Sequence, residues 1–272
     1  MTEAFSLPFM QLALAASVIV ALVASVLGVY VVLRRIVFVG AAVSQISAAG
    51  VALAFLTGLS PNPTAFVVTL LAVAGFAFVG SGRKLTQESI LGLAYAAASA
   101  ATILLIGHTA HGTDDIMNLL FGNILAVTPT DLALMGGAAV LVLGTHLICQ
   151  RPFRFVFYDP EMAQTLGYNT KAWNLLFYVT LGIAIAAVTR VAGSLMTFAF
   201  LVIPAMTALS LAKGMRWIFG IAMGSAVLAS VLGLVLSYQF DMPAGPAIVA
   251  VSAGLLVISA AISAVRGQVL RT

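Results

Sequence analysis

Long apolar runs alternate with short breaks along this chain, and positive charge is confined to every second break. Eleven of the twelve Lys and Arg fall at Arg34/Arg35, Arg83/Lys84, Arg151/Arg154/Lys171, Lys213/Arg216 and Arg266/Arg271. The breaks between them hold Asp114, Asp115 and Asp241 and no base; Arg190 is the one exception. Cationic loops are retained on the cytoplasmic side of a membrane. The pattern therefore predicts a topology, with the N-terminus outside, the C-terminus cytoplasmic and the apolar runs crossing between. Only 7% of residues are charged and 62% are apolar, whereas a water-facing surface calls for about a quarter charged. At roughly 20 residues per span, 272 residues leave room for eight or nine spans. The expected fold class is an all-α, polytopic transmembrane helical bundle, with residues 1–272 forming a single membrane domain.

Composition also removes several function classes. The net charge of +4 is spread over five loops, with no basic stripe and no interleaved aromatics, which argues against a nucleic-acid partner. The single Cys149 has no disulfide partner and no metal-ligand spacing. Met1 to Pro8 carries Glu3 and no base, so the first apolar run reads as a retained span, not a cleaved signal. No phosphate-binding Gly-Lys-Ser/Thr loop is present, and Gly80 to Thr86 does not fit one. Glu88, Asp114, Asp115, Asp131, Asp159, Glu161 and Asp241 all fall at ends or loops, which disfavours an ion-coupled carrier with a midplane carboxylate. No nucleophile with a base partner can be placed, so a membrane enzyme is also disfavoured.

The spans read as about 10–33, 37–58, 64–80, 89–107, 132–149, 174–189, 195–212, 217–238 and a last one ending before Arg266. Leu59-Ser60-Pro61-Asn62-Pro63 reads as an outer turn, because two prolines two apart suit a turn. Arg190 to Ser194 is a break too short for an ordinary loop. Asp241 to Pro246 reads as an outer turn or a broken helix start.

Three places carry candidate chemistry. Gly40, Ala41, Ser44, Ala48 and Ala52 give the second span a small-residue face suited to close helix contact. Gln45, Ser44 and Ser47 beside it are candidates for a polar route, since a buried amide in lipid needs a partner or water. The long outer segment brings His108, His111, Asp114 and Asp115, nitrogen and oxygen donors that zinc or manganese accepts. The longest cytoplasmic segment, Gln150 to Ala172, holds Asp159, Pro160, Glu161, Ala163, Leu166 and Gly167. That stretch is acidic and helix-like, is closed by a glycine, and is a candidate docking helix for a soluble partner.

Several stretches in order resemble the membrane permeases of the zinc/manganese/iron class of bacterial ABC importers. They are Val31 to Arg35, Gly50 to Ala52, Leu120 to Leu132, Asp159 to Gly167, Leu201 to Ala205 and Asp241 to Pro246. The resemblance implies a non-enzymatic transport subunit in the bacterial inner membrane that works as a homodimer enclosed by lipid. It implies a separate cytoplasmic ATPase dimer and a periplasmic or lipid-anchored metal-binding protein. The cargo implied is a divalent metal, zinc or manganese, bound only in transit, with no permanent cofactor. The cytoplasmic stretch Asp159 to Gly167 corresponds to the helix that seats on the ATPase. The family's Gly-Asp-x-x-x-His pattern keeps Gly40 here, but Ala41 and Gln45 replace the Asp and His. That departure leaves a metal chelate or a small organic nutrient open as the cargo.

Overall fold

The computed structural model describes residues 8–78, 86–107 and 122–269. The expected metal-ligand set, His108, His111, Asp114 and Asp115, lies outside the described residues, as do Arg83 and Lys84. The helices are α1 (Pro8–Leu33), α2 (Phe38–Thr57), α3 (Pro61–Phe78), α4 (Gln87–Ile106), α5 (Pro129–Ile148), α6 (Gln150–Tyr158), α7 (Pro160–Thr165), α8 (Thr170–Leu211), α9 (Met215–Phe240) and α10 (Ala244–Val269). A short 3-10 turn, Ile124–Ala126, precedes α5, and no strand occurs among the described residues. Eight of these helices are long and apolar enough to cross a membrane, as the all-α expectation required.

The prolines at 61 and 63 do not form a separate turn. Pro61 opens α3 and Pro63 lies in its first turn. The first-turn N–H groups of a helix have no internal acceptor, so a proline there sacrifices no hydrogen bond. The segment 150–172 holds α7 where the helix-like stretch from Asp159 to Gly167 was expected, and in addition α6 and the start of α8.

α8 is the unusual element. A straight helix of its 42 residues would extend about 63 Å, twice the roughly 30 Å of a bilayer's hydrocarbon core. Its two ends nevertheless fall on the same side of the bundle. Near its start, Asn174 accepts a 2.7 Å hydrogen bond from Arg34, just beyond the end of α1. Near its finish, Ala205 and Ala208 pack with Val29 in the last turns of α1. The chain turns back at Gly193, whose φ of 76° and ψ of 162° are non-helical. A side chain essentially forbids that region. The arms before and after Gly193 then run in opposite directions. Ile185 and Val188 of the first arm and Thr197 and Leu201 of the second line one small cavity against Val20 and Leu27. The break read at Arg190 to Ser194 is this reversal, made without a loop.

The returning arm, 194–211, lies between α1 and α2. A Cβ added at Gly28 would sit 2.0 Å from the Leu201 carbonyl oxygen, so only glycine lets the two backbones approach this closely. Lipid tails are as apolar as leucine, so helices in a membrane associate through such close packing and not through apolar burial. Buried hydroxyls are returned to their own helices: Thr180 donates to Phe177 O, Thr189 to Ile185 O and Thr197 to Gly193 O. Ser230 of α9 donates both to Ala226 O and across to Ser17 O of α1.

Replacing Gly28 with valine forces a branched side chain onto a backbone carbonyl that cannot rotate away. We expect a loss of about 3 kcal/mol or more, seen as a lowered midpoint of thermal unfolding in detergent. An unchanged midpoint contradicts the contact with the returning arm.

Candidate functional site

Two surfaces and one latch stand out. The first surface is a groove of about 470 Å³ between α2, α4 and the returning arm of α8. α2 contributes Ala41, Ser44 and Gln45, α4 contributes Tyr95, and the arm contributes Ser194 and Phe198. Gln45 is only 8% exposed. Its amide nitrogen donates to the Ser194 hydroxyl at 3.4 Å, while its Oε1 has no partner. Ser44 also lines the groove, with its hydroxyl already donating to Ala41 O at 3.0 Å. Ser47 is not among the lining residues; it is buried, and its hydroxyl has no partner. The groove thus offers neutral oxygen and nitrogen groups. Among the described residues no three His, Cys, Asp or Glu side chains gather into a metal-binding cluster.

The second surface lies at the end of the bundle that holds Arg34. α5 ends there, and α6 lies along the bundle with Phe153 and Val156 buried and Arg151 and Phe155 exposed. α7 follows at once. Asp159 caps it by accepting from Met162 N at 2.9 Å, and Pro160 occupies its first position. Its far end is closed by a pair of backbone hydrogen bonds, Tyr168 N to Ala163 O at 2.9 Å and Gly167 N to Gln164 O at 3.0 Å. That pairing places Gly167 in the left-handed region at φ 84° and is a stop signal that favours glycine. Ala163 faces inward and is fully buried. Glu161, Met162 and Leu166 face outward, beside a groove of about 530 Å³ lined by Arg151, Arg154, Phe155, Asp159 and Met162. The local signals read from the sequence, an acidic cap and a terminal glycine, are the ones that fix this helix.

The latch is at the opposite end. Arg190, the base that broke the charge pattern, pairs with Asp131 at 3.1 Å and donates to Asn62 at 2.9 Å. Asp131 also serves in the capping box of α5, where Thr128 Oγ1 donates to it at 2.7 Å and Asp131 N donates back at 3.2 Å. One carboxylate thus ties the start of α5 to the reversal in α8, and Asn62 adds the start of α3. The Asn123 N–H reinforces the bend by donating to Val191 O at 3.1 Å.

A residue read only as a topology marker proves to be structural. Arg34 turns inward, its guanidinium 4.3 Å from the centre of the Phe157 ring, and burial lowers its pKa from the usual arginine value. The neighbouring Arg35 is exposed. A doubled base does not reveal which member turns inward.

A multi-pass helical bundle with a membrane-level groove and a short capped helix exposed at one end has the architecture of a transport permease. The chain belongs to the ABC 3 transport family, whose model matches residues 6–263. It is 31% identical to the manganese import system permease protein ScaB of Streptococcus parasanguinis, over 92% of this chain and 89% of that one. It is 30% identical to the high-affinity zinc uptake system membrane protein ZnuB of Haemophilus influenzae, over 91% of this chain and 95% of that one. Among solved structures it is similar to a chain of PsaBC from Streptococcus pneumoniae in complex with Fab. There the TM-score is 0.84 and identity 29%, covering 95% of this chain and 93% of that one.

Asp131→Ala removes the carboxylate half of the α5 capping box and the Arg190 partner together, leaving only the Thr128 hydroxyl on the residue-131 N–H, and is expected to cost about 1–3 kcal/mol. Arg190→Gln, which leaves the cap intact at a partly exposed pair, should cost at most about 1 kcal/mol. Thermal unfolding of the two variants in detergent checks the order; equal losses contradict the dual role of Asp131.

Proposed function

We propose that this chain is the permease subunit of an ATP-driven importer of a divalent metal ion, manganese or zinc. The observation that carries the proposal is family membership over residues 6–263, joined to about 30% identity with permeases named for manganese import and zinc uptake. The chain's own part is passage, and nucleotide hydrolysis belongs to a separate ATPase. A soluble or lipid-anchored binding protein delivers the cargo at the face carrying Arg190.

In this reading α7 seats on the ATPase on the cytoplasmic side. Its outward face suits such a contact: Met162 and Leu166 are more than half exposed, with Glu161, Arg151 and Arg154 supplying charge of both signs around them. Closure of the ATPase on ATP then moves α7 as a rigid body, and the bundle alternates its opening. Two copies face each other across the route. Phe38, Tyr95 and Leu195 stand exposed at the lips of the α2–α4–α8 groove, and a second copy covers them. The cargo passes Gln45 and Ser44.

A second reading of the cargo has a specific observation behind it. Ala41 and Gln45 supply neither carboxylate nor imidazole to the groove. A metal carried there as a hydrated or chelated complex needs only hydrogen-bonding groups such as the free Oε1 of Gln45.

Uptake of manganese, zinc and iron by vesicles holding the permease, its ATPase and its binding protein tests the cargo. Saturable, ATP-dependent uptake of one bare ion supports the first reading; uptake only with a chelator present supports the second; uptake of none contradicts both. Gly167→Val should strain the αL position by about 1–2 kcal/mol and misplace the end of α7. We expect ATPase co-purification and uptake to fall together while the bundle stays folded. Native values for both would remove the docking role.

A further inference from the structure

α7 is held to the bundle by two struts. On one side, Phe155 of α6 stacks on Tyr168 just beyond α7, with ring centres 6.4 Å apart and 11° between planes. On the other, Gln164 of α7 donates to Thr170 at the start of α8 at 3.0 Å. α6 and α8 then lead to the same place. Phe157 of α6 lies under the Arg34 guanidinium at 4.3 Å, while Phe177 and Tyr178 of α8 offer ring faces at 5.2 and 5.9 Å. Asn174 of α8 accepts from Arg34 Nη2 at 2.7 Å and donates its own amide to Ala77 O at the end of α3 at 3.0 Å. Gln87, the first residue of α4, donates to the hydroxyl of Tyr178.

Arg34 itself sits in the turn between α1 and α2, held by Arg34 N to Tyr30 O and Ile36 N to Val31 O. Beyond that turn, α2 begins at Phe38 and carries Ala41 and Gln45 into the groove. No carboxylate neutralises the guanidinium among the described residues, and its buried Nη1 has no hydrogen-bond partner. A charge placed this way is poorly explained as a stabiliser, because a buried cation without a counter-charge is costly and ring faces offset only part of that cost. It is well explained as a joint. A planar, fixed fork engages two struts at once, by stacking on one and hydrogen-bonding the other.

We propose that Arg34 is the positioning residue through which displacement of α7 reaches α2 and the groove. The inference rests on α7 being the ATPase-docking helix. When ATP closes the ATPase, α6 and the start of α8 shift with α7. Because both grip one side chain in the α1–α2 turn, the base of α2 follows. Without that grip the struts move and α2 stays, so hydrolysis continues without a response in the groove.

The test uses the permease purified with its ATPase, the latter made free of reactive thiols, with Cys149→Ala to remove this chain's only thiol and Phe198→Cys to place one inside the groove, away from the lips that a second copy covers. The rate of maleimide labelling is read with and without ATP, beside ATP hydrolysis, so the readout does not depend on the cargo. In this parent we expect ATP to change the rate by about fivefold or more. In Arg34→Gln the ratio should fall to one while hydrolysis persists. Arg34→Lys should behave like Gln, because an ammonium keeps the charge but not the planar fork. Phe157→Leu, which keeps apolar volume and removes the ring face, should lower the ratio without abolishing it. Three results overturn the proposal: a parent-like ratio in Arg34→Gln, rescue by Arg34→Lys, or an unfolded Arg34→Gln beside a folded Phe157→Leu with the parent's ratio. If the parent itself retains no ATPase or shows no ATP-dependent labelling, the docking premise fails first. That failure is visible before any change at Arg34.

Discussion

The arrangement depends on one close contact: the returning arm of α8 is wedged between α1 and α2, where the absent side chain of Gly28 admits the Leu201 backbone. In a lipid solvent, apolar burial does not select between arrangements of apolar helices, so shape must. The arm reaches this position only because Gly193 takes a backbone conformation closed to other residues. The turn is then pinned at its tip by Arg190, Asp131 and Asn62. Remove any of these and the groove loses a wall, since Ser194 and Phe198 belong to the arm.

The polar inventory is spent sparingly. Hydroxyls buried in the helices mostly bond carbonyls within their own turns, which keeps them from specifying wrong partners in a low-dielectric interior. Ser230 reaches across to Ser17 O within the bundle; other links between helices lie at the two ends and at the groove, among them Arg34 with Asn174, Arg190 with Asp131, and Gln45 with Ser194. Arg34 and Gln45 each link helices while leaving one buried polar atom, Nη1 and Oε1, without a partner. Groups left that way in a buried setting are suited to positions that change partner during a cycle.

Much of the architecture was legible in the sequence, because lipid imposes a simple code. Apolar run length matches the helices long enough to span a membrane. The reversal at Arg190 to Ser194 was visible as a break with too few residues for a loop. α7 was legible for local reasons, since Asp159 and Gly167 act on their own backbone within a few residues. The groove was half legible: Gln45 and Ser44 line it, while Ser47 is buried and is not among its lining residues. Long-range pairing was not legible. Nothing in the spacing of 59 residues connects Asp131 to Arg190, or of 140 residues connects Arg34 to Asn174. Pro61 was misread as turn-only, because the sequence does not show whether a proline ends one element or starts the next.

The central claim is that the Arg34 end of the bundle, with α7 on it, faces the cytoplasm. A cysteine replacing exposed Met162, in a Cys149→Ala background, reports this directly. A membrane-impermeant maleimide should leave that thiol unmodified in intact cells and modify it in inverted membrane vesicles made from cells lacking the ATPase. Modification in intact cells would reverse the orientation and separate α7 from the nucleotide-hydrolysing subunit.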